Sequence, residues 1–156
     1  MKYEMKGKYF EDWKLGEEFE TGRRTVTETD IVIFAGLSGD YNPLHTNEEF
    51  AKKTVFGTRV AHGFLVHSIS IGLINQTTYF DGTVVAQKGH KNVVFTKGVV
   101  NGDTIYAKVK IVEKNDMGKS DRGEIVFDVD VINQRGEVCS KSTRTLLMKK
   151  RGQGNQ

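Results

Sequence analysis

The chain is poor in three things: cysteine, proline and, over one long stretch, charge. A single cysteine, Cys139, rules out an internal disulfide and a multi-cysteine metal site, and reads as a small residue inside a strand. The single proline, Pro43, leaves few rigid punctuation points, so the place where it stands carries weight. There is no strong charge of one sign. Lys and Arg number 23 against 20 Asp and Glu, for a net charge of +3. That excludes the dense basic face of a dedicated nucleic-acid binder, but suits anionic small molecules. The opening MKYEMKGKYFEDWKLGEEFE lacks an apolar run, so no signal peptide is expected, and a cytoplasmic location follows. No Asp, Glu, Lys or Arg occurs in the eighteen residues from Gly63 to Phe80. Such a run is long enough to raise a membrane span. His67, Ser68, Ser70, Asn75, Gln76, Thr77 and Thr78 make it too polar for hydrocarbon, and predict a helix in a protein core instead.

What is present fits one domain of 156 residues without repeats. The first half reads as irregular and helical. A strand is predicted from Glu18 to Val26, a helix capped by Thr27 or Thr29 through Gly36, and a short helix from Asn47 to Lys53. The second half reads as strands: Val84–Gln87, Asn92–Lys97, Thr104–Lys114, Glu124–Asn133 and Val138–Met148, parted by Gly-containing turn signals. In IVFDVDVIN, Ile125, Phe127, Val129 and Val131 alternate with Asp128 and Asp130, the pattern of a half-buried antiparallel strand. The predicted class is α+β, a curved antiparallel sheet wrapped around one long central helix. Gly118-Lys119-Ser120 echoes a phosphate-binding loop, but Glu113 stands where that loop needs glycine.

The lone proline sits in LSGDYNPLHTNEEFA, where Asp40, Asn42 and His45 crowd together. Pro43 fixes its own φ and pushes Asn42 out of the helical region, which predicts a turn from Asp40 to His45. A turn can bring a carboxylate and an imidazole over one small volume, where they can hold a water and exchange its proton. Asn42 can bond locally and hold the turn's shape. The same residues also make a sound structural turn, so this stretch alone leaves both readings open. Ala61-His62-Gly63 precedes the charge-free helix. Unpaired N–H groups at a helix start and a glycine without a side chain outline an oxyanion hole. Of the remaining histidines, His67 reads as a satisfied core residue and His90 as exposed. The four histidines lack metal-ligand spacing, so no metal site is expected.

Asp40-Tyr41-Asn42-Pro43-Leu44-His45, then Ala61-His62-Gly63 and the long apolar helix, resembles the MaoC-like (R)-specific enoyl-CoA hydratases, which have the hot-dog fold. The resemblance runs from about Tyr9 to Met148 and includes NVVFTKGVVNGDTIYAKVKIVEK. It implies a hot-dog domain over 9–148, an N-terminal extension over 1–8 and a polar tail over 149–156. It further implies a hydro-lyase acting between 2-enoyl and (R)-3-hydroxyacyl thioesters. Asp40 and His45 match the catalytic pair, Asn42 the residue that positions it, and Gly63 the donor to the thioester carbonyl. His62, Pro43 and Phe64 are expected to line the substrate site. No cofactor is expected, since CoA or acyl carrier protein belongs to the substrate. A homodimer or higher homo-oligomer joined sheet edge to sheet edge is expected, with no nucleic-acid or membrane partner. Arg59, Lys88 and Lys91 are candidates to meet CoA phosphates. The chain departs from the family in lacking a proline in VVFTKGVV and in carrying Ile71 where some relatives have a small polar residue.

Overall fold

Alternation builds most of this molecule. The structure, a computed structural model, describes residues 5–152, so the first four residues of the expected extension and the last four of the expected tail lie outside it. Four long strands are β3 (Val84–Phe95), β4 (Thr104–Asp116), β5 (Arg122–Asn133) and β6 (Val138–Lys149). Two short ones are β1 (Glu18–Glu20) and β2 (Arg24–Thr25). All pair antiparallel, in the order β1-β4-β5-β6-β3, with β2 also on β4. Ile105, Ala107, Val109 and Ile111 of β4 and Ile125, Phe127, Val129 and Val131 of β5 are buried on one face. Each of these side chains larger than Ala107 is stabilised by roughly 1.5–3 kcal/mol on leaving water. Lys108, Lys110 and Asp128 on the other face are exposed.

The central helix lies against the buried face, and the shorter helices follow one another beside it. α1 (Glu28–Ser38) starts at Thr27, whose hydroxyl accepts from the Asp30 N–H while the Asp30 carboxylate accepts from the Thr27 N–H. It ends at Gly39, whose φ of 75° is left-handed and turns the chain away from the helix axis. α2 (Pro43–Thr46) and α3 (Glu48–Ala51) are single turns capped by the side chains of Asn42 and Asn47. The stretch expected to be a turn as far as His45 therefore becomes helical at Pro43. Proline is tolerated at a first helical position because that N–H has no partner anyway.

α4 (Gly63–Asn75) is the central helix, and it is shorter than the charge-free run. Thr77 Oγ1 donates to the Ile74 carbonyl at 2.7 Å and Thr78 turns left-handed with φ 64°, which stops it. Leu65, Val66, Ile69, Leu73 and Ile74 join the core, while Phe64, Ser68 and Gly72 form an uncovered stripe. The two strands expected around His90 form one bulged strand, β3, with Asn92 at φ 55° absorbing a register shift. Trp13 is fully buried and stacks on Phe80 at 5.1 Å. Both ends of the described stretch hold to this body. Lys8 donates its N–H to the Tyr79 carbonyl, β6 runs on to Lys149, and Arg151 pairs with Asp12.

Candidate active site

Two caps and one helix start converge. The left-handed Gly39 delivers Asp40 beyond the end of α1. Asp40 Oδ1 then accepts from the Asn42 N–H at 3.2 Å, and Asn42 Oδ1 from the Leu44 N–H at 3.0 Å. The Asn42 side chain thus shapes the backbone between the pair and has no bond to either working side chain. Pro43 opens α2, and it is exposed. Two residues later α2 presents His45.

The His45 ring is set by one backbone bond. Its Nδ1 lies 2.6 Å from the Val60 carbonyl, which only accepts, so Nδ1 carries the hydrogen and donates. That leaves Nε2 as the nitrogen able to take a proton, and it faces Asp40 Oδ2 at 4.0 Å. A water about 2.8 Å from each atom would sit at their apex with an angle near a right angle. The His45 side chain is 12% exposed and that of Asp40 53%, so the pair opens outward to water.

His62 backs this pair. It is buried, its ring stacks on His45 at 3.8 Å with 26° between planes, and Phe34 closes the other side at 5.0 Å. Its Nε2 donates to the Asp40 carbonyl at 2.9 Å, which ties the turn to the start of α4 and leaves Nδ1 without a partner. One donor atom each from Asp40, His45 and His62 lies within 4.8 Å of the others. A metal would need both ring lone pairs to meet at one point about 2.0–2.1 Å from each nitrogen. Rings stacked face to face point theirs along nearly parallel planes, a geometry suited to holding a water.

Gly63 follows as the first residue of α4, and no side chain caps that turn. The Phe95 ring lies so close that a Cβ on Gly63 would meet it at 2.7 Å. Phe64, 61% exposed, packs edge-on against Phe95 at 5.5 Å and against His67 at 6.4 Å. Its ring contacts are with Phe95 and His67, not with His45. Asp40, His45, His62 and Gly63 are therefore brought together, Asn42 and Pro43 act through the backbone, and Phe64 flanks.

The basic residues expected to meet CoA phosphates are partly committed. Arg59 pairs with Glu28 at 2.7 Å and Glu48 at 3.4 Å, and Lys88 with Glu124. Two contributors escaped the sequence reading. The Val60 carbonyl has no sequence signal, because any residue carries one. Phe95 offers one, as an aromatic on an edge strand, but only the fold brings it to Gly63.

The model of the MaoC like domain family matches residues 12–132. A curated (R)-specific enoyl-CoA hydratase from Rhodospirillum rubrum is 39% identical over 103 residues, covering 66% of this chain and 69% of that protein. Protein MaoC from Klebsiella aerogenes is 39% identical over 107 residues, 69% of this chain but only 31% of its own length. Among solved structures, a monoamine oxidase regulatory protein from Archaeoglobus fulgius superposes with a TM-score of 0.86 and 42% identity, over 94% of this chain and 97% of that one. A Mycobacterium tuberculosis protein with a double hotdogfold superposes with a TM-score of 0.81 and 20% identity, over 96% of this chain and 46% of its own. The sheet wrapped around α4 is the hot-dog fold.

Proposed function

The chain belongs to the MaoC-like domain family, and from that premise we propose that it is a hydro-lyase that adds water to a 2-enoyl thioester or removes it from the (R)-3-hydroxyacyl thioester. The observation that carries this reading is the His45 ring. Fixed by Val60, it turns its Nε2 toward the Asp40 carboxylate across a water-sized gap.

In this reading the water bridges His45 Nε2 and Asp40 Oδ2. As its oxygen bonds to the β-carbon of the enoyl group, the water's proton passes to the pair. Electrons move through the double bond onto the thioester oxygen. The Gly63 N–H, at the positive end of α4, donates to that oxygen, a stabilisation of ~3 kcal/mol in comparable sites. The enolate then takes a proton at the α-carbon from the pair, which completes addition of one water. His62 holds the Asp40 backbone and the His45 ring at one spacing throughout. The handle is CoA or a carrier protein's pantetheine arm.

The unit of function in this reading is a homodimer. β3 is an edge strand twelve residues long with most of its residues exposed, and an unpaired edge of that length asks for a covering partner. Sedimentation should give twice the chain mass.

The function is tested by incubating crotonyl-CoA with the protein and resolving the products on a chiral column. (R)-3-hydroxybutyryl-CoA without release of free thiol supports the reading. Free CoA thiol with crotonate would identify a hot-dog thioesterase instead. No change with this or longer, branched and carrier-bound enoyl thioesters would leave a binding subunit.

A further inference from the structure

The inner face of β6 changes character along its length. Leu146 and Met148 are fully buried and apolar, while Ser140, Ser142 and Arg144 on the same face are buried and polar. Arg144 is 5% exposed, yet its Nε and Nη1 have no hydrogen-bond partner. Nη2 donates to Gln87 Oε1 at 2.9 Å, and the guanidinium stands 5.7 Å from the Phe127 ring centroid. No carboxylate pairs with it among the described residues, and burial without a compensating anion pushes it down to about 10.

Two imidazoles stand beside it. His67 of α4 and His90 of β3 share one hydrogen bond, Nε2 to Nδ1 at 2.9 Å, and their outer nitrogens are buried and unpartnered. Burial, with the Arg144 charge nearby, lowers both rings, His90 to about 4, so both are neutral near pH 7. Each neutral ring has one N–H. One ring spends it on the shared bond, and the other carries it on its outer nitrogen. Beyond the Gln87 bond and the shared imidazole bond, the buried guanidinium and outer imidazole nitrogens have no hydrogen-bond partner among the described residues. Buried donors are normally satisfied.

The two elements that meet at Gly63 also carry the cluster: α4 holds Gly63 and His67, and β3 holds Phe95 and His90. On α4, His67 is one turn beyond Gly63, about 6 Å along the axis. On β6, Ser140 stands opposite Phe95, whose ring covers Gly63, and Arg144 stands opposite His90. The four steps from Ser140 to Arg144 span about 13 Å. A four- or five-carbon acyl chain, hydrogen-bonded at both ends over about 2.9 Å each, fits between these limits.

We propose that Arg144, with the His67–His90 pair and Gln87, binds a carboxylate at the far end of the acyl chain, so that the preferred substrate is a short enoyl thioester ending in a carboxylate instead of a methyl. This rests on the hydro-lyase reading for turnover, but not for binding.

Binding is therefore measured first, by calorimetry, with succinyl- and butyryl-pantetheine. These saturated thioesters cannot be hydrated, and their handle is common to CoA and carrier protein. The wild type is expected to bind the succinyl compound about ten- to hundredfold tighter, the range of a charge-assisted hydrogen bond. Arg144→Leu should erase that preference, and Arg144→Lys should keep part of it. Gln87→Leu, on the exposed β3 edge and checked by sedimentation for an unchanged assembly, should weaken it by a smaller factor. Equal or reversed affinities in the wild type, or binding of neither, overturn the proposal. So does an Arg144→Leu variant that changes sedimentation but not ligand preference, because the guanidinium would then serve a contact between copies. Turnover of crotonyl-CoA and of the fumaric acid monothioester is measured alongside. A succinyl preference without turnover keeps this site and sinks the hydro-lyase, whereas turnover of both at equal kcat/KM does the reverse.

Discussion

Two polar clusters stand near the start of α4, and they are built in opposite ways. In the Asp40–His45–His62 cluster each imidazole commits one nitrogen to a backbone carbonyl, and the carboxylate is half in water. In the His67–His90–Arg144 cluster the rings bond to each other, one guanidinium nitrogen donates to Gln87, and the remaining buried nitrogens have no partner. The difference teaches that orientation and recognition need different surroundings. A pair that moves a proton to and from water must be held by the backbone and still be reachable by solvent. A group that recognises an ion gains when solvent is absent, because electrostatic attraction is stronger there.

If that contrast holds, the largest effects on rate come from the wet cluster. Asp40→Asn and His45→Gln are each expected to cut kcat by at least ~10²-fold if both move the proton, with little change in thermal midpoint. Steady-state rates beside melting curves check this. The dry side of β6 should answer in stability. Leu146→Ala should cost about 2–5 kcal/mol in urea unfolding, as buried leucines do, whereas Arg144→Leu should be neutral or stabilising because it removes an unpaired buried charge. Gly63→Ala is next. Its Cβ meets the Phe95 ring, so the N–H moves and kcat/KM should fall about tenfold or more, with partial recovery when Phe95→Ala is added.

The smallest expected effect is on pH. His90, facing His67 and Arg144, has a folded value near 4 against 6.5 for the free group. As pH falls below 6.5 the unfolded chain takes the proton first, so stability is complete above that value and declines toward pH 4. The thermal midpoint should drop between pH 7 and 5, and His90→Gln should flatten that drop.

How much of this could be read in advance divides along the same line. The wet cluster is local: Asp40, Asn42, Pro43 and His45 lie within six consecutive residues, and proline with asparagine forces the turn that joins them. The strand alternation of β4 and β5 was equally plain, because one face repeats with period two. The dry cluster joins residues 67, 90 and 144, which no short-range pattern relates. His67 is not satisfied within the core, and His90 is half-buried, contrary to expectation, because the bulged β3 carries it onto α4. One signal was present. In KSTRTLLM, Arg144 shares its parity with Leu146 and Met148, which puts a charge on the core face. The end of α4 was hidden for another reason: absence of charge marks burial, whereas helix termination here is made by Thr77 and a left-handed Thr78.

The most direct test of the central claim is the absorbance of the enoyl thioester, followed for crotonyl-CoA and for the fumaric acid monothioester with wild type, Asp40→Asn and His45→Gln. The expected result is loss of absorbance in the wild type that collapses in both variants, each still folded by circular dichroism. Undiminished turnover in His45→Gln would contradict the account, because the nitrogen that Val60 orients toward Asp40 would then have no part in the chemistry.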